Sequence, residues 1–331
     1  MNKNPVCPVC VNENTKKIYK NYPGYCEKEN YDIYNCSNCN TNFIRTDSIE
    51  EGIYDTIYSC SESLAFDRYF EYAKNVKTVE NPLKYLSRKE PCYFPVYKYL
   101  KGKKGLKILE IGCGFGYLTY ALNKAGFDTL GLDIARNVID YATQNYGDFY
   151  KCCELKTFIE NTDEKFDLVI ATEVIEHLED HVSFILDGVS LLKPEGQLLL
   201  TTPNKNFHKR NAVWQTYLPP VHTIWLSKES FMHILDKYNF QYTFFNYSSF
   251  FPNYENRFVR YIKNQKEIIP PSFIMKDGTI NKAYKDVKKS KLHNSVGFLL
   301  HRFWPVRIIS NILYNIFMGD ESTLSVFISK K

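Results

Sequence analysis

Apolar and polar positions along the chain change period several times between residues 105 and 251. KILEIG (107–112) is a compact apolar run that reads as a strand, and Leu118, Leu122 and Ala125 then recur at helical spacing until Gly126 closes the helix. DTLGLDI (128–134) predicts the next strand, and Val138, Ile139 and Ala142 mark the helix after it. FYKCC (149–153) is a weaker strand, and FDLVIATEV (166–174) a long one whose unbroken apolar content predicts burial on both faces. A helical stripe at Val182, Ile185, Leu186 and Val189 should end at Lys193, Pro194 and Gly196. GQLLLTTPN (196–204) follows as a strand, and Ser227 is placed to cap a helix reaching Tyr238. FQYTFFNYS (240–248) and the distant TLSVFIS (323–329) complete seven strands. This alternation predicts an α/β fold, a doubly wound, mostly parallel seven-stranded sheet that binds ligands at the carboxyl ends of its strands.

The first 46 residues follow another rule. Cys7-Pro-Val-Cys10 and Cys36-Ser-Asn-Cys39 are two CxxC pairs separated by 25 residues, and KKIYKNYPGY and YDIYN between them read as short strands around a Pro23-Gly24 turn. Each CxxC turn converges two thiolates, and two such turns supply the four ligands of a tetrahedral structural zinc. We therefore expect a zinc ribbon over 1–46, with Cys7, Cys10, Cys36 and Cys39 as ligands. The remaining cysteines, at 26, 60, 92, 113, 152 and 153, read as small buried hydrophobes. Residues 47–104 read as a helical connector or lid, 105–251 plus 322–331 as the α/β core, and 252–321 as a basic, amphipathic helical insertion.

Composition adds a few bounds. Of 331 residues, 44% are hydrophobic and 24% charged, and the net charge of +5 is too mild to point to nucleic acid. The N-terminus carries no apolar core of signal-peptide length, which predicts a cytoplasmic protein. The stretch 296–318 is apolar but contains His301, Arg302, Pro305 and Arg307, a poor membrane span. From Arg257 to Ser310 the charge is about +9, with twelve Lys/Arg against three acids. Beyond Pro305, Ile308, Ile309, Ile312, Leu313, Ile316 and Phe317 form one apolar helical face.

Glycines at 112, 114 and 116 occupy the turn that follows the first core strand. A dinucleotide-binding turn would need a glycine at 117, where Tyr117 stands, and Glu110 departs from that pattern as well. The run E-x-G-x-G-x-G resembles instead the first motif of the class I S-adenosylmethionine-dependent methyltransferases. ATEVIEHL (171–178) and LLKPEGQLLLTTPN are similar to the later motifs of its small-molecule, ubiquinone-biosynthesis-like branch. The resemblance spans about Gly105 to Phe251, with TLSVFISKK as the last strand. It implies S-adenosylmethionine as cofactor, with Gly112, Gly114 and Gly116 under its methionine part and Glu110 opening the motif. Asp133 would accept both ribose hydroxyls, with Ile134 beside it. Glu154 and Leu155 would meet the adenine, and Thr172 and Glu173 end the fourth strand. Glu176 and His177 read as a pair that begins a helix and steadies the loop.

A hydroxyl acceptor needs a base, and His222 in LPPVHTIWLSKESF is the candidate, held by a loop that Pro219 and Pro220 stiffen. An imidazole near its free pKa of about 6.5 suits that work. Tyr54 and Tyr58 resemble lid tyrosines of ribbon-bearing relatives. The pairing of ribbon and core looks like bacterial methyltransferases of surface-glycan and deoxysugar pathways. It implies O-methylation of a sugar, nucleotide-activated or otherwise carrier-linked, and hence an anionic small-molecule acceptor that the basic insertion could hold. No nucleic-acid partner is expected. A base methyltransferase acting on rRNA or tRNA is the alternative, a catalytically inactive scaffold a further one, and a membrane-surface helix a third use of the apolar face.

Overall fold

The computed structural model describes residues 4–45, 67–207, 217–250, 271–285 and 322–331. Three antiparallel strands open the chain, β1 (Thr15–Pro23), β2 (Asn30–Cys36) and β3 (Asn42–Ile44). Helices α1 (Asp67–Asn75), α2 (Pro82–Lys89) and α3 (Tyr93–Leu100) follow, in the segment expected to be helical. Asn81 caps α2 by accepting from the Lys84 N–H at 2.9 Å, and Pro82 occupies the first position, where a missing N–H costs nothing.

The core runs β4 (Lys107–Ile111), α4 (Tyr117–Lys124), β5 (Asp128–Asp133), α5 (Arg136–Tyr146), β6 (Tyr150–Cys152) and α6 (Leu155–Glu160). It continues through β7 (Phe166–Thr172), a 3-10 turn (Ile175–His177), α7 (His181–Ser190) and β8 (Leu192–Pro203). Then come β9 (Ile224–Trp225), α8 (Lys228–Lys237), β10 (Gln241–Phe244) and β11 (Thr323–Ser329). Seven strands form one sheet in the order β10-β11-β8-β7-β4-β5-β6, with β11 antiparallel to both neighbours and β4 through β8 parallel. The order reverses at β4, so a crevice opens beyond the carboxyl ends of β4 and β7. Ile108, Leu109, Val169, Ile170, Leu199 and Leu200 lie buried at its centre.

Several boundaries differ from the expectation. β7 stops at Thr172 because Glu173 adopts a left-handed φ of 56°. Glu176 and His177 belong to the separate 3-10 turn rather than to a helix start, and α7 begins only after Asp180, whose carboxylate accepts from the Ser183 N–H at 2.9 Å. β8 begins at Leu192, and Pro194 lies inside it where the pairing with β7 slips, so its missing N–H leaves no gap in the ladder. The strand expected to reach Ser248 ends at Phe244, before a 3-10 turn opened by the Asn246 side chain on Ser248 N–H. Helix α6 was not foreseen. Cys92 and Cys113 are buried, whereas Cys26, Cys152 and Cys153 are partly exposed.

The ribbon is not separate from the core. Strand β9, far along the chain, pairs antiparallel with β3 and becomes the fourth strand of the ribbon sheet. Residues 271–281, within the segment read as a basic insertion, lie against the ribbon. Phe273 and Ile274 N–H both donate to the Tyr25 carbonyl at 2.9 Å, and the Tyr25 and Phe273 rings are 4.9 Å apart. Tyr54, Tyr58, Cys60, the lysines at 288, 289 and 291 and the apolar face 308–317 lie outside the described residues. No helix among the described residues is long and apolar enough to cross a membrane.

Candidate active site and thiol centre

Three glycines turn the chain from β4 into α4 with φ of 72°, 51° and 74° at Gly112, Gly114 and Gly116. Two are glycine because the protein itself crowds them: a Cβ at Gly112 would lie 2.5 Å from Val174, and one at Gly116 2.5 Å from Tyr150. A Cβ at Gly114 would meet nothing within 4 Å, so this is the turn residue that leaves room for a ligand. Asp133, at the end of β5 and 8% exposed, braces the turn. Its Oδ2 accepts from Gly114 N–H at 2.8 Å and its Oδ1 from Ala135 N–H at 2.9 Å. Each oxygen retains a second lone pair, which suits a cis-diol. Burial raises its pKa, opposed by those N–H groups.

Glu110 is sealed beneath the turn, accepting the Thr119 hydroxyl at 2.5 Å, and burial pushes its carboxyl up to about 8. It is placed to hold α4 to β4. Ile134 stands 69% exposed beside Asp133, an unusual position for isoleucine. The end of β6 lies alongside, since Cys153 N–H donates to the Asp133 carbonyl at 3.1 Å. Exposed Glu154 and half-buried Leu155 therefore share one edge with Asp133 and Ile134. Thr172 and Glu173 lie across β4, at the end of β7.

On that far side the structure gathers residues that the sequence reading had separated. Glu173 Oε1 accepts from the Thr201 hydroxyl at 3.0 Å, and Glu176 Oε2 from the Thr202 hydroxyl at 2.9 Å. His177 Nδ1–H donates to the Val221 carbonyl at 2.6 Å, which fixes the tautomer and turns Nε2 into an acceptor. The His222 ring lies 4.6 Å from the His177 ring and 4.9 Å from Tyr217. One donor atom each of Glu176, His177 and His222 fall within 4.8 Å of one another. Burial pushes Glu173 up to about 7 and Glu176 well above its usual range.

His222 does not keep the ordinary pKa expected of it. At 5% exposure, burial and then the neighbouring His177 hold it well below 6.5. Its Nδ1 has no partner among the described residues. In this dry setting the imidazoles are neutral and the carboxyls readily so. The neutral His222 ring offers a lone pair for a substrate proton, although burial makes it a weaker base than a free imidazole. Arg68 Nε lies 3.1 Å from Glu90 Oε1, and the two charges act on the Glu173 carboxyl in opposite senses, Glu90 raising and Arg68 lowering its pKa. The Glu176–His177–His222 grouping has no local sequence signal, because it joins turns dozens of residues apart.

The four ribbon cysteines converge. Cys7 Sγ lies 3.5 Å from Cys39 Sγ and Cys10 Sγ 3.4 Å from Cys36 Sγ, and all four sulfurs fall within 4.8 Å of one another. These separations exceed a disulfide bond of about 2.05 Å. They approach the edge of about 3.8 Å of a tetrahedron with zinc–sulfur bonds of about 2.3 Å. The hydrogen bond from Cys7 pulls the Cys39 thiol down to about 5, while the pairing with Cys39 and burial push Cys7 up. Cys26 stands apart, bridged to Ile274.

A parallel sheet with one reversed strand, a glycine turn after β4 and a carboxylate at the end of β5 define a class I methyltransferase fold. Residues 85–243, just under half of the chain, match the family model described as a methyltransferase domain. The chain is 39% identical over 114 residues to the mitochondrial ubiquinone biosynthesis O-methyltransferase of Bos taurus, covering 32% of this chain and 30% of that protein. To the ubiquinone biosynthesis O-methyltransferase of Actinobacillus pleuropneumoniae it is 34% identical over 113 residues, covering 31% and 48%. The chain thus spans less than half the length of these relatives. A crystal structure of a SAM-dependent methyltransferase from Archaeoglobus fulgidus superposes on 79% of this chain and 99% of that one, with 14% identity and a TM-score of 0.44.

Proposed function

We propose that the protein transfers a methyl group from S-adenosylmethionine to a hydroxyl of a small acceptor, a sugar or nucleotide-activated sugar. The observation that carries the reading is the pairing, across β4, of the Gly114–Asp133 turn with the buried Glu173–Glu176–His177–His222 group. Bound S-adenosylmethionine supplies an electrophilic methyl for in-line displacement. Asp133 would hold the ribose diol, Ile134 and Leu155 would flank the adenine, and the buried Glu176–His222 side would keep water from the acceptor oxygen. The neutral imidazole of His222 accepts the hydroxyl proton. Cys7, Cys10, Cys36 and Cys39 hold a structural zinc.

The relatives' names favour a hydroxyl over a nitrogen or carbon acceptor, and also support a second acceptor class, an intermediate of ubiquinone biosynthesis. The sugar reading draws its support from the ribbon, which lies outside the matched region. The test is radiolabelled cofactor with purified protein against nucleotide sugars, ubiquinone-pathway phenols and RNA. Label in a methyl ether of a nucleotide sugar is expected. Label confined to phenols would replace the acceptor, and label in RNA would replace the reading.

A further inference from the structure

The cysteine knuckle and the His222 loop share one set of hydrogen bonds. Helix α8 begins with a reciprocal cap: Ser230 N–H donates to Ser227 Oγ at 3.2 Å and Ser227 N–H to Ser230 Oγ at 3.0 Å. The same Ser230 hydroxyl donates to the Cys39 carbonyl at 3.1 Å and accepts from the Thr41 hydroxyl at 2.7 Å. Thr41 Oγ1 in turn lies 3.0 Å from Cys39 Sγ. Both serines are fully buried, as is Thr41. Next along the knuckle, Asn40 donates to Asn206 Oδ1 at 3.0 Å and receives the Lys205 amine, both from the turn after β8.

The loop before α8 is tied in as tightly. Strand β9 pairs with β3 through Asn42↔Trp225 and Phe43↔Ile224. Ile44 N–H donates to the Thr223 carbonyl at 3.0 Å, and Tyr25 N–H to the Pro219 carbonyl at 2.6 Å. Leu218, Val221 and Trp225 bury their side chains with Tyr22, Tyr25 and Ile33. On its other side the loop meets the candidate active site, as Thr223 N–H donates to the Glu176 carbonyl at 2.9 Å and His177 holds the Val221 carbonyl. His222 is thus suspended between the ribbon and the 3-10 turn, with no core helix or strand of its own.

We propose that the cysteine knuckle positions the acceptor side of the active site, with Thr41 and Ser230 as the positioning residues that link it to the His222 loop. This rests on the reading of the cysteines as a zinc site and of His222 as part of the active site. The ribbon is then a wall of the reaction chamber, and loss of metal loosens residues 217–226 while sparing the cofactor turn. The buried Lys205 amine docked on Asn40 feels the Glu229 carboxylate first and Cys39 second, a further tie between this turn and the knuckle.

The experiment compares wild type with Thr41→Val, Ser230→Ala and Thr41→Ser. Metal content, hydrogen exchange and S-adenosylhomocysteine affinity are measured on each. In metal-loaded Thr41→Val and Ser230→Ala, amides in 217–226 should exchange at least about tenfold faster, about 1.4 kcal/mol of local stability. Strands β1 and β2 and the turn 112–116 should be unmoved, and the S-adenosylhomocysteine dissociation constant should stay within about twofold. Thr41→Ser, which restores the hydroxyl, should return the loop to wild-type exchange. Zinc-loaded variants with unchanged exchange in 217–226 would overturn the coupling and leave the zinc reading intact. Metal-free wild type whose loop is as protected as after zinc addition would overturn the metal dependence, whereas wild type that takes up no zinc would overturn the zinc reading. Faster exchange spread over β1 and β2 as well would reduce Thr41 to a residue of ribbon stability and overturn the positioning role.

Discussion

Asp133 shows how one side chain can serve the fold and the ligand together. It braces the glycine turn through two backbone N–H groups while presenting its outer lone pairs to the crevice. Asp133→Ala should therefore weaken S-adenosylhomocysteine binding at least about tenfold, since charge-assisted hydrogen bonds are each worth about 1.5–3 kcal/mol. Calorimetry on folded variant measures it, and an unchanged affinity would remove Asp133 from the cofactor site. Glu110 makes a pH prediction. Its folded-state carboxyl is raised to about 8, so between the ordinary glutamate range and that value the folded state binds more protons than the unfolded state. Stability from this group is then greatest at low pH and is lost as pH rises towards about 8. Glu110→Gln keeps an acceptor for Thr119 and should flatten the melting temperature across that window. An equally steep profile in the variant would place the titration elsewhere.

Among the elements, the glycine turn separates two demands. Gly116→Ala meets Tyr150 and Ala142 at 2.5 and 2.6 Å as well as a strained φ. Its melting temperature should fall by more than about 4 °C, the equivalent of one to two kcal/mol in a domain this size. Gly114→Ala meets no neighbour and bears only the left-handed strain of about 1–2 kcal/mol, yet it should lose cofactor affinity because its methyl enters the open side. Equal effects of the two on stability and binding would contradict that division. The seven core strands and the cysteine turns were legible in the sequence because each is a local pattern of period or spacing. Strand β9 was not, because two residues leave no periodicity and their partner lies in the ribbon. Helix α6 was missed for a similar reason, as only Phe158 of its six residues is fully buried. The depressed pKa of His222 depends on packing between distant turns, and no neighbour in LPPVHTIW announces it.

Across the whole molecule, the ribbon and the methyltransferase core form one structure through β9 and residues 271–281. Cys36→Ser should abolish the metal and loosen both the ribbon and 217–226, while Cys26→Ser, outside the cluster, should retain one zinc per chain; elemental analysis and hydrogen exchange decide it. Metal retained in Cys36→Ser, or lost in Cys26→Ser, would redraw the ligand set. The place of β11 has a different consequence. It lies between β8 and β10, yet roughly 120 residues separate the end of β8 from its start. A ribosome adding about 5–20 residues per second needs on the order of ten seconds to cover that distance. During that interval β8, one of the longest strands described and rich in leucine, presents an open edge to other nascent chains. Self-association on a polysome, rather than instability of the finished fold, is then the hazard that this topology brings, and chaperone shielding of that edge would govern yield.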